Sequence, residues 1–211
     1  MQHYALLAAA VALAACTPDA EPPAETAADA GPRTAVIETS AGDIRVALAE
    51  DAAPISVANF VRHAEAGAYD GGLFYRSVRP DNDRPDVEPM SLIQGGYDFD
   101  GSSGAEPIAH EPTTQTGLSH KRGAISMARF DPGTATTEFF IMVADYPGLD
   151  AGPGTRNPDE LGYAVFGEVI EGMDVVETIW SGETSIENAP EDFQYAQFLV
   201  EPVRIETVRV E

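Results

Sequence analysis

Short alternating segments separated by turn residues constrain the fold of this chain most strongly. Within residues 42–48, Ile44, Val46 and Leu48 alternate with polar or small residues, as a half-buried strand requires. Further strands are predicted at 73–78, around 90–94, at 124–129, 138–143 and 163–169, and at the end of the chain. Regular strand–helix–strand units are absent from this pattern. The sequence therefore predicts a mainly antiparallel sheet, closed into a barrel or packed as a sandwich.

Two helices interrupt the predicted strands. The first begins at Pro54, which suits a first helical turn, and stops at Gly67. Its apolar stripe consists of Val57, Phe60, Val61 and Ala64. His63 lies off this stripe and is predicted to face solvent. The second helix covers 172–180, where Trp180 is predicted to pack against the sheet because large aromatic side chains dominate core burial.

The predicted strand 73–78, LFYRSV, carries an arginine between apolar neighbours. Strict alternation places Phe74, Arg76 and Val78 on one face of the sheet. A buried guanidinium is costly unless it is paired and hydrogen-bonded. Taken alone, the segment favours an exposed sheet edge, where an arginine lies over apolar surface with its charged head in water.

The chain is strongly acidic and long enough for one good-sized core. Its 211 residues include 12 Lys and Arg against 35 Asp and Glu, which gives a formal net charge of −23. A surface of this sign repels the phosphates of nucleic acids and anionic lipid headgroups. The composition therefore argues against nucleic-acid binding.

The first residues have the pattern of an export signal. The apolar run of residues 5–15 is too short to span a membrane and fits the core of a signal peptide over 1–15. Residues 13–16, LAAC, resemble the lipobox of bacterial lipoproteins, in which the cysteine is lipidated after cleavage. Cys16 is also the only cysteine, so a disulfide scaffold is excluded. The alternative is a plain secretory signal with an incidental cysteine, which would release the protein into the periplasm.

Residues 16–33 are predicted to be a tether between this lipid and a folded domain at 34–211. After Cys16 the segment is rich in proline, alanine and acidic residues, and it has no aromatic residue and no aliphatic one larger than alanine. Such a segment cannot bury enough apolar surface to offset its chain entropy. Thr17 follows the cysteine, and by resemblance to the enterobacterial sorting rule it points to the outer membrane. We expect a lipid-anchored protein that faces the periplasm.

Several common kinds of site are not supported by the motifs present. Residues 96–104 are glycine-rich but lack a P-loop lysine and the dinucleotide-binding spacing. Asp98 and Asp100 are spaced like the start of a calcium loop, yet Ala109 stands at its twelfth position. No Gly-x-Ser-x-Gly elbow is present. No metal site and no nucleophile is therefore predicted.

Four segments occur together in one order, namely LFYRSV (73–78), LIQGGYDFDGSSG (92–104), GAISMARFDPGTATTEFFIMVAD (123–145) and LDAG…GYAVFGEVIEGMDVV (149–176). Together they resemble the cyclophilin family of peptidyl-prolyl cis–trans isomerases, especially its bacterial members, over about residues 34–210. The resemblance implies a closed eight-stranded antiparallel β-barrel capped by two α-helices, with the active groove on the outer face. It also implies a monomer that needs no cofactor and acts on proline-containing peptides and unfolded exported proteins.

The resemblance also implies roles for individual residues. Arg76 matches the catalytic arginine, and Gln94 matches the glutamine that restrains the substrate carbonyl. The implied substrate-binding residues are Phe74, Leu92, Met127, Ala128, Arg129, Phe140, Leu149 and Tyr163. Of the adjacent Phe139 and Phe140, one should point into the barrel core, and that role is assigned to Phe139.

The chain departs from the family pattern at four places. Ser91 and Gly148 stand where many members carry aromatic residues, so we expect a shallower proline pocket or one completed by the long loop 79–91. Glu138 replaces a glutamine and is placed to pair with Arg76. The loop between Leu149 and Tyr163 is also longer than usual.

Three functions remain open from the sequence. The preferred one is a prolyl isomerase of the cell envelope, in which Arg76 stabilises the twisted amide electrostatically. The first alternative is a non-catalytic module of the same fold that binds proline-containing peptides as a chaperone. The second alternative is a barrel lipoprotein that binds a cation or a small ligand through its acidic surface.

Overall fold

The computed structural model describes residues 33–99, 101–191 and 193–211. The predicted signal peptide, Cys16 and the predicted tether up to residue 32 lie outside these residues. The strands are β1 (Thr34–Thr39), β2 (Gly42–Leu48), β3 (Leu73–Val78), β4 (Leu92–Gly96), β5 (Ala124–Met127), β6 (Phe139–Met142), β7 (Ala164–Glu171), β8 (Thr184–Ser185) and β9 (Phe198–Val210). The helices are α1 (Pro54–Glu65), α2 (Thr113–Thr116) and α3 (Met173–Trp180), and a 3₁₀ turn covers Pro147–Leu149.

Eight of these strands close into an antiparallel barrel. Their order is β1-β2-β7-β5-β6-β4-β3-β9, and β9 returns to pair with β1, while β8 pairs with β9 alone. The predicted closed eight-stranded barrel is thus confirmed. Besides the two predicted helices, the described residues contain the four-residue helix α2. None of the helices in this part of the chain is both long and apolar enough to cross a membrane.

The last strand closes the barrel because it is long enough to pair with two neighbours. The first part of β9 pairs with β3, where Phe74 faces Val203, and its last part pairs with β1, where Ala35 faces Val210. The register of the second pairing shifts between Glu38 and Thr39. Such a bulge bends the strand and increases its twist, which helps a sheet to close on itself.

The barrel interior is filled by the apolar residues that the alternation predicted. Ile44, Val46 and Leu48 of β2 are at most 1% exposed. Helix α1 adds Phe60, whose ring centroid lies 5.6 Å from that of Phe139 and 5.3 Å from that of Phe166. Fully burying a side chain of this size contributes about 1.5–3 kcal/mol. The strands and α1 therefore share one core.

The predicted alternation fails in β3. The register with both neighbouring strands shifts between Phe74 and Arg76, so the two residues do not share a face. Phe74 belongs to the barrel core, whereas Val78 packs in a separate apolar cluster outside it. The prediction that Phe74, Arg76 and Val78 lie on one face is wrong, because a bulge reverses the sense of alternation.

His63 was predicted to face solvent, and the structure shows that it is buried. Its side chain packs against the rings of Tyr69 and Tyr97, and Nδ1 lies 3.0 Å from the Tyr97 hydroxyl. Burial is the main cause that lowers the pKa of His63. The helical stripe missed this residue because the segment after β4 covers that side of α1.

Helix α3 fixes the end of β3 that leads into the site. Trp180 packs against the core, as predicted, and its Nε1 donates a hydrogen bond of 2.7 Å to the Val78 carbonyl oxygen. The Ser77 hydroxyl donates to the Trp180 carbonyl at 2.6 Å. These bonds hold the backbone of β3 immediately after Arg76.

Candidate active site

A row of side chains crosses four neighbouring strands on the outer face of the barrel. Arg76 of β3 is opposite Gln94 of β4, Gln94 is opposite Phe140 of β6, and Phe140 is opposite Ser126 of β5. Directly opposed residues of antiparallel strands project to the same face. The barrel therefore places a cation, an amide and an aromatic ring side by side.

An apolar cluster surrounds this row, separate from the barrel core. It contains Val78, Met90, Leu92, Ala124, Phe140, Met142, Tyr146, Leu149 and Val165, with Leu118, Ala128 and Tyr163 packed against it. We call it the pocket cluster. The structure thereby brings together five of the predicted substrate-binding residues: Leu92, Ala128, Phe140, Leu149 and Tyr163.

Two amide side chains hold the guanidinium of Arg76. Nη1 donates to Gln94 Oε1 at 2.7 Å, while Nε and Nη2 donate to Gln197 Oε1 at 3.0 and 2.6 Å. The Phe193 ring centroid lies 5.1 Å from Arg76 Cζ, within cation–π range. Burial lowers the pKa of Arg76 from its ordinary value, yet an arginine stays protonated. Three of its five N–H groups are used in these bonds, which leaves one on each terminal nitrogen for a substrate.

Both amides are themselves anchored. Gln94 Nε2 donates to the Tyr75 hydroxyl at 2.8 Å, and Gln197 Nε2 donates to the Asn82 carbonyl oxygen at 2.9 Å. These bonds aim the two Oε1 atoms at Arg76. Within the described part of the chain, no carboxylate forms an ion pair with Arg76. Among the described residues, two neutral amide oxygens rather than carboxylates therefore hold the guanidinium.

Polar groups behind Phe140 set the position of its ring. The His120 ring stacks on Phe140 at 5.7 Å and 12°, and Tyr163 meets Phe140 edge to face at 5.3 Å. His120 Nδ1 lies 2.6 Å from Asp150 Oδ1, and its Nε2 lies 3.2 Å from Ser126 Oγ. Burial is the main cause that lowers the pKa of His120. Because Ser126 and His120 have no exposed surface, they support Phe140 and present no nucleophile.

One wall of the pocket cluster comes from residues that the resemblance did not identify. At Gly148, where relatives carry an aromatic residue, an added Cβ would lie 2.6 Å from the Tyr146 ring. Tyr146 therefore fills the space beside Gly148. Met90, from the long loop 79–91, packs in the same cluster and is 8% exposed. Of the two expectations, the structure favours a pocket completed by the long loop.

Two predicted substrate-binding residues lie in the barrel core instead. Phe74 and Met127 are at most 1% exposed and belong to the core cluster with Phe139. The bulge in β3 turns Phe74 inward, and alternation along β5 turns Met127 inward while Ser126 points outward. Their side chains have no surface that a substrate could contact, so both support the site from within. Phe139 lies in the core, as predicted.

The side chain of Arg129 is engaged by the second long loop. Its Nη1 and Nη2 donate to the two carboxylate oxygens of Asp159 at 2.8 and 3.0 Å, and its Nε donates to the Gly162 carbonyl at 2.9 Å. The guanidinium also lies 5.1 Å from the Tyr163 ring centroid. Arg129 thus holds the loop and Tyr163 in place rather than offering its charge to a substrate.

Glu138 does not pair with Arg76. Its Oε1 accepts a hydrogen bond from the Asp98 amide at 3.0 Å, and its carboxylate fills the space above Gly96. Oε2 is buried and has no hydrogen-bond partner among the residues that the structure describes. Burial is the main cause that raises the pKa of Glu138 above its ordinary value.

Sequence patterns did not identify several of the residues that support the row. Gln197 lies 121 residues from Arg76 and carries no local signal that would assign it to the site. Phe193 and His120 are missed for the same reason, since only the closed barrel brings them to Arg76 and Phe140. Tyr146 had an indirect signal, because the aromatic residue expected at position 148 is a glycine.

Comparisons with known proteins identify the family and the fold of this chain. Residues 34–210 match the family model described as "Cyclophilin type peptidyl-prolyl cis-trans isomerase/CLD". The peptidyl-prolyl cis-trans isomerase A of Dickeya dadantii is 38% identical over 153 residues, which cover 71% of this chain and 72% of that protein. A peptidyl-prolyl cis-trans isomerase of Acinetobacter baylyi is 35% identical over 182 residues, covering 82% and 83%.

A solved structure shows the same fold. The crystal structure of a cyclophilin type peptidyl-prolyl cis-trans isomerase from Cryptosporidium parvum superimposes with a TM-score of 0.61 at 22% identity. The match covers 85% of this chain and 97% of that one. The chain therefore belongs to the cyclophilin-type peptidyl-prolyl cis-trans isomerases, and its activity is the isomerisation of the peptide bond that precedes proline.

Proposed function

We propose that Arg76 accelerates this rotation by stabilising the twisted amide. A peptide bond resists rotation by about 18–20 kcal/mol because the nitrogen lone pair is delocalised into the carbonyl. When the X–Pro bond twists, the lone pair localises on the prolyl nitrogen and can accept a hydrogen bond. A charged donor that is already oriented stabilises this state without reorganising. The catalyst then needs to bind the twisted amide better than either planar form.

The observation that carries this proposal is the way Arg76 is held. Its guanidinium is oriented by Gln94 and Gln197, two neutral amides, beside an apolar cluster on the same face. An oriented cation with unused N–H groups next to an apolar surface suits a proline ring whose nitrogen must be approached by a donor. In the proposed complex, Phe140 and Leu149 contact the ring, while Gln94 and Tyr163 restrain the carbonyl side. A solved structure of a Cryptosporidium parvum relative was determined in the presence of the dipeptide Ala-Pro, which is consistent with this class of ligand.

We also propose that the protein acts on exported proteins in a bacterial envelope, anchored by a lipid on Cys16. This proposal rests on the signal-like residues 1–15, the LAAC motif and the acidic, proline-rich segment that follows. Membrane fractionation of the full chain and of Cys16→Ser tests it. We expect the parent in the membrane fraction and the variant in the soluble fraction; a parent that is soluble would contradict the anchor.

The test of the catalytic proposal is a comparison of the parent with Arg76→Ala. NMR exchange spectroscopy on a short Ala-Pro peptide measures both the catalysed exchange rate and the dissociation constant. We expect fast exchange in the parent and exchange near that of the free peptide in the variant, at similar folding stability. A folded parent that shifts the peptide signals but leaves the exchange rate unchanged would overturn the proposal in favour of a non-catalytic binding module.

A further inference from the structure

The loop 79–91 and the loop between Leu149 and Tyr163, both of which we expect to be longer than usual in the family, meet at one buried ion pair. Arg156, in the loop after Leu149, places its Nη2 2.5 Å from Asp83 Oδ1 in the loop 79–91. The side chains of Arg156 and Asp83 are only 6% and 1% exposed. An ion pair this inaccessible to solvent is costly to form, and removing one partner strongly destabilises the folded protein. Its position between the two loops therefore needs an explanation.

Each partner of the pair is bonded to the pocket wall. The second oxygen of Asp83 accepts a hydrogen bond from the Met90 amide at 3.0 Å. Arg156 Nη1 donates to the Glu88 carbonyl at 3.2 Å, and the same carbonyl accepts the Tyr146 hydroxyl at 2.8 Å. The guanidinium also lies 5.9 Å from the Tyr146 ring centroid.

The backbone of Arg156 is also bonded to the pocket rim. The backbone amide of Arg156 donates to the Gly148 carbonyl at 2.8 Å, one residue before Leu149. Met90, Tyr146 and Leu149 are all at most 8% exposed and pack in the pocket cluster with Phe140. The side chains of the ion pair thus hold Met90 and the carbonyl that Tyr146 shares, and the backbone of Arg156 holds the residue before Leu149.

The protonation state of the pair favours this role. Burial alone disfavours the charged carboxylate, yet hydrogen bonds from Arg156 and from the Met90 and Arg84 amides lower the pKa of Asp83 below its ordinary value. The side-chain hydrogen bond to Asp83 raises the pKa of Arg156 despite its own desolvation. Both groups stay charged at neutral pH, so the wall is held continuously.

We propose that the Asp83–Arg156 pair is a positioning device that sets the width of the proline pocket and its selectivity for a five-membered ring. The inference rests on the pocket assigned above, and it deepens that assignment by naming what holds one wall. Asp83 and Arg156 contact the substrate only through Met90, Tyr146 and Leu149, so they are positioning residues rather than catalytic ones.

The test measures binding separately from rotation. The variants are Arg156→Met, Asp83→Asn and the double variant, each titrated by NMR with an Ala-Pro peptide and with the same peptide carrying pipecolic acid, a six-membered ring, in place of proline. We expect the dissociation constant for the proline peptide to rise about tenfold in each variant, the scale of a misfitted apolar pocket. We expect the preference for proline over pipecolic acid to shrink, and the rotation rate of the bound peptide to stay within about twofold.

The double variant separates positioning from a merely structural role. Each single variant leaves a buried charge without its partner, whereas the double variant removes both charges, so its folding stability should recover relative to the single variants. We expect its dissociation constant for the proline peptide to remain raised, because the ion pair that holds the pocket wall is still absent. A double variant that binds the proline peptide like the parent, with the parent's ring preference, would overturn the proposal.

Two further variants serve as a control for lost stability and as a substitute if the charge variants do not fold. Val176→Ala removes a core side chain of α3 that is outside the pocket cluster, and it should lower stability without changing ring preference. An equal loss of ring preference in this control would also overturn the proposal.

If the charge variants fail to fold, Tyr146→Phe removes only the hydroxyl bond to Glu88, and an unchanged dissociation constant would then count against the inference. Failure of the parent to accelerate exchange would contradict the proposed catalysis and leave this binding test intact.

Discussion

Two arginines lie beside the same pocket and are held in opposite ways. Arg76 is bonded to the neutral oxygens of Gln94 and Gln197, whereas Arg156 is bonded to the buried carboxylate of Asp83. A carboxylate fixes a guanidinium strongly and also cancels its charge. Amide oxygens fix its orientation and leave the positive charge available.

The difference indicates what each arginine does in a chain with 35 acidic residues. A structural arginine benefits from a carboxylate partner, as Arg156 and also Arg129 show. An arginine that must stabilise electron density on a substrate loses strength when a carboxylate competes for it. The neutral amide partners of Arg76, in contrast to the carboxylate partner of Arg156, are therefore the more informative feature of the two.

Two buried carboxylates, those of Asp83 and Glu138, also differ in their partners and in the direction of their pKa shifts. Asp83 has a cationic partner, and its pKa is lowered by hydrogen bonds despite burial. Among the described residues, Glu138 has no cationic partner and no hydrogen bond to its Oε2, and burial raises its pKa. The domain thus holds one carboxylate that stays ionised and one that resists ionisation.

Of the variants that test this comparison, the largest effect is expected from one that keeps the charge of Arg76 and removes its planar guanidinium. We expect Arg76→Lys to reduce kcat/KM by about 100-fold, because one ammonium cannot hold both amides and also donate to the prolyl nitrogen. Exchange spectroscopy on the Ala-Pro peptide measures the loss. Arg122→Lys, at an exposed ion pair with Glu177, is the matched control. A rate within twofold of the parent would show that charge alone is sufficient.

A smaller effect is expected when Arg76 is given the kind of partner that Arg156 has. We expect Gln197→Glu to keep the fold and lower kcat/KM about tenfold, equivalent to about 1.4 kcal/mol, because the new carboxylate neutralises the guanidinium. Gln115→Glu adds the same charge at an exposed position of α2 and should change nothing. An unchanged or faster Gln197→Glu enzyme would remove the distinction between the two arginines.

The smallest effect concerns Glu138 and depends on pH. Because the pKa of Glu138 is raised in the folded state, its contribution to stability is present below the unfolded pKa and is lost as pH rises through the folded value. Gln cannot ionise, so Glu138→Gln should gain about 1 kcal/mol in the free energy of unfolding at neutral pH and little near pH 4. Chemical denaturation at the two pH values measures this gain.

The control for that experiment is Glu187→Gln, at an exposed position. It should show no such pH-dependent gain. A Glu138→Gln variant whose stability relative to the parent is the same at both pH values would show that Glu138 is accommodated as a carboxylate.

Local pattern predicted much of the fold and part of the site. The strand over 73–78 has the bounds that its composition indicated, and the choice between Phe139 and Phe140 followed from alternation alone. Arg76 and Gln94 were identified by motif, and the register of β3 and β4 brings them opposite each other.

Both errors arise because a local pattern does not register a tertiary event. Alternation predicts a face only while the register is regular, so the bulge in β3 moved Phe74 to the core. A helical stripe predicts burial against one partner only, so His63 became buried beneath Tyr97. Neither event leaves a signal in the neighbouring residues.

By itself, the amino-acid sequence determined the alternating strands, the antiparallel class and the residue types that prolyl isomerisation needs. These depend on side-chain period and chemistry, which are local properties. Only the tertiary structure decided that Gln197 holds Arg76, that Tyr146 fills the space beside Gly148, and that Asp83 meets Arg156 across 73 residues. Such contacts form when the barrel closes, because closure brings together segments whose separation along the chain carries no information about their separation in space.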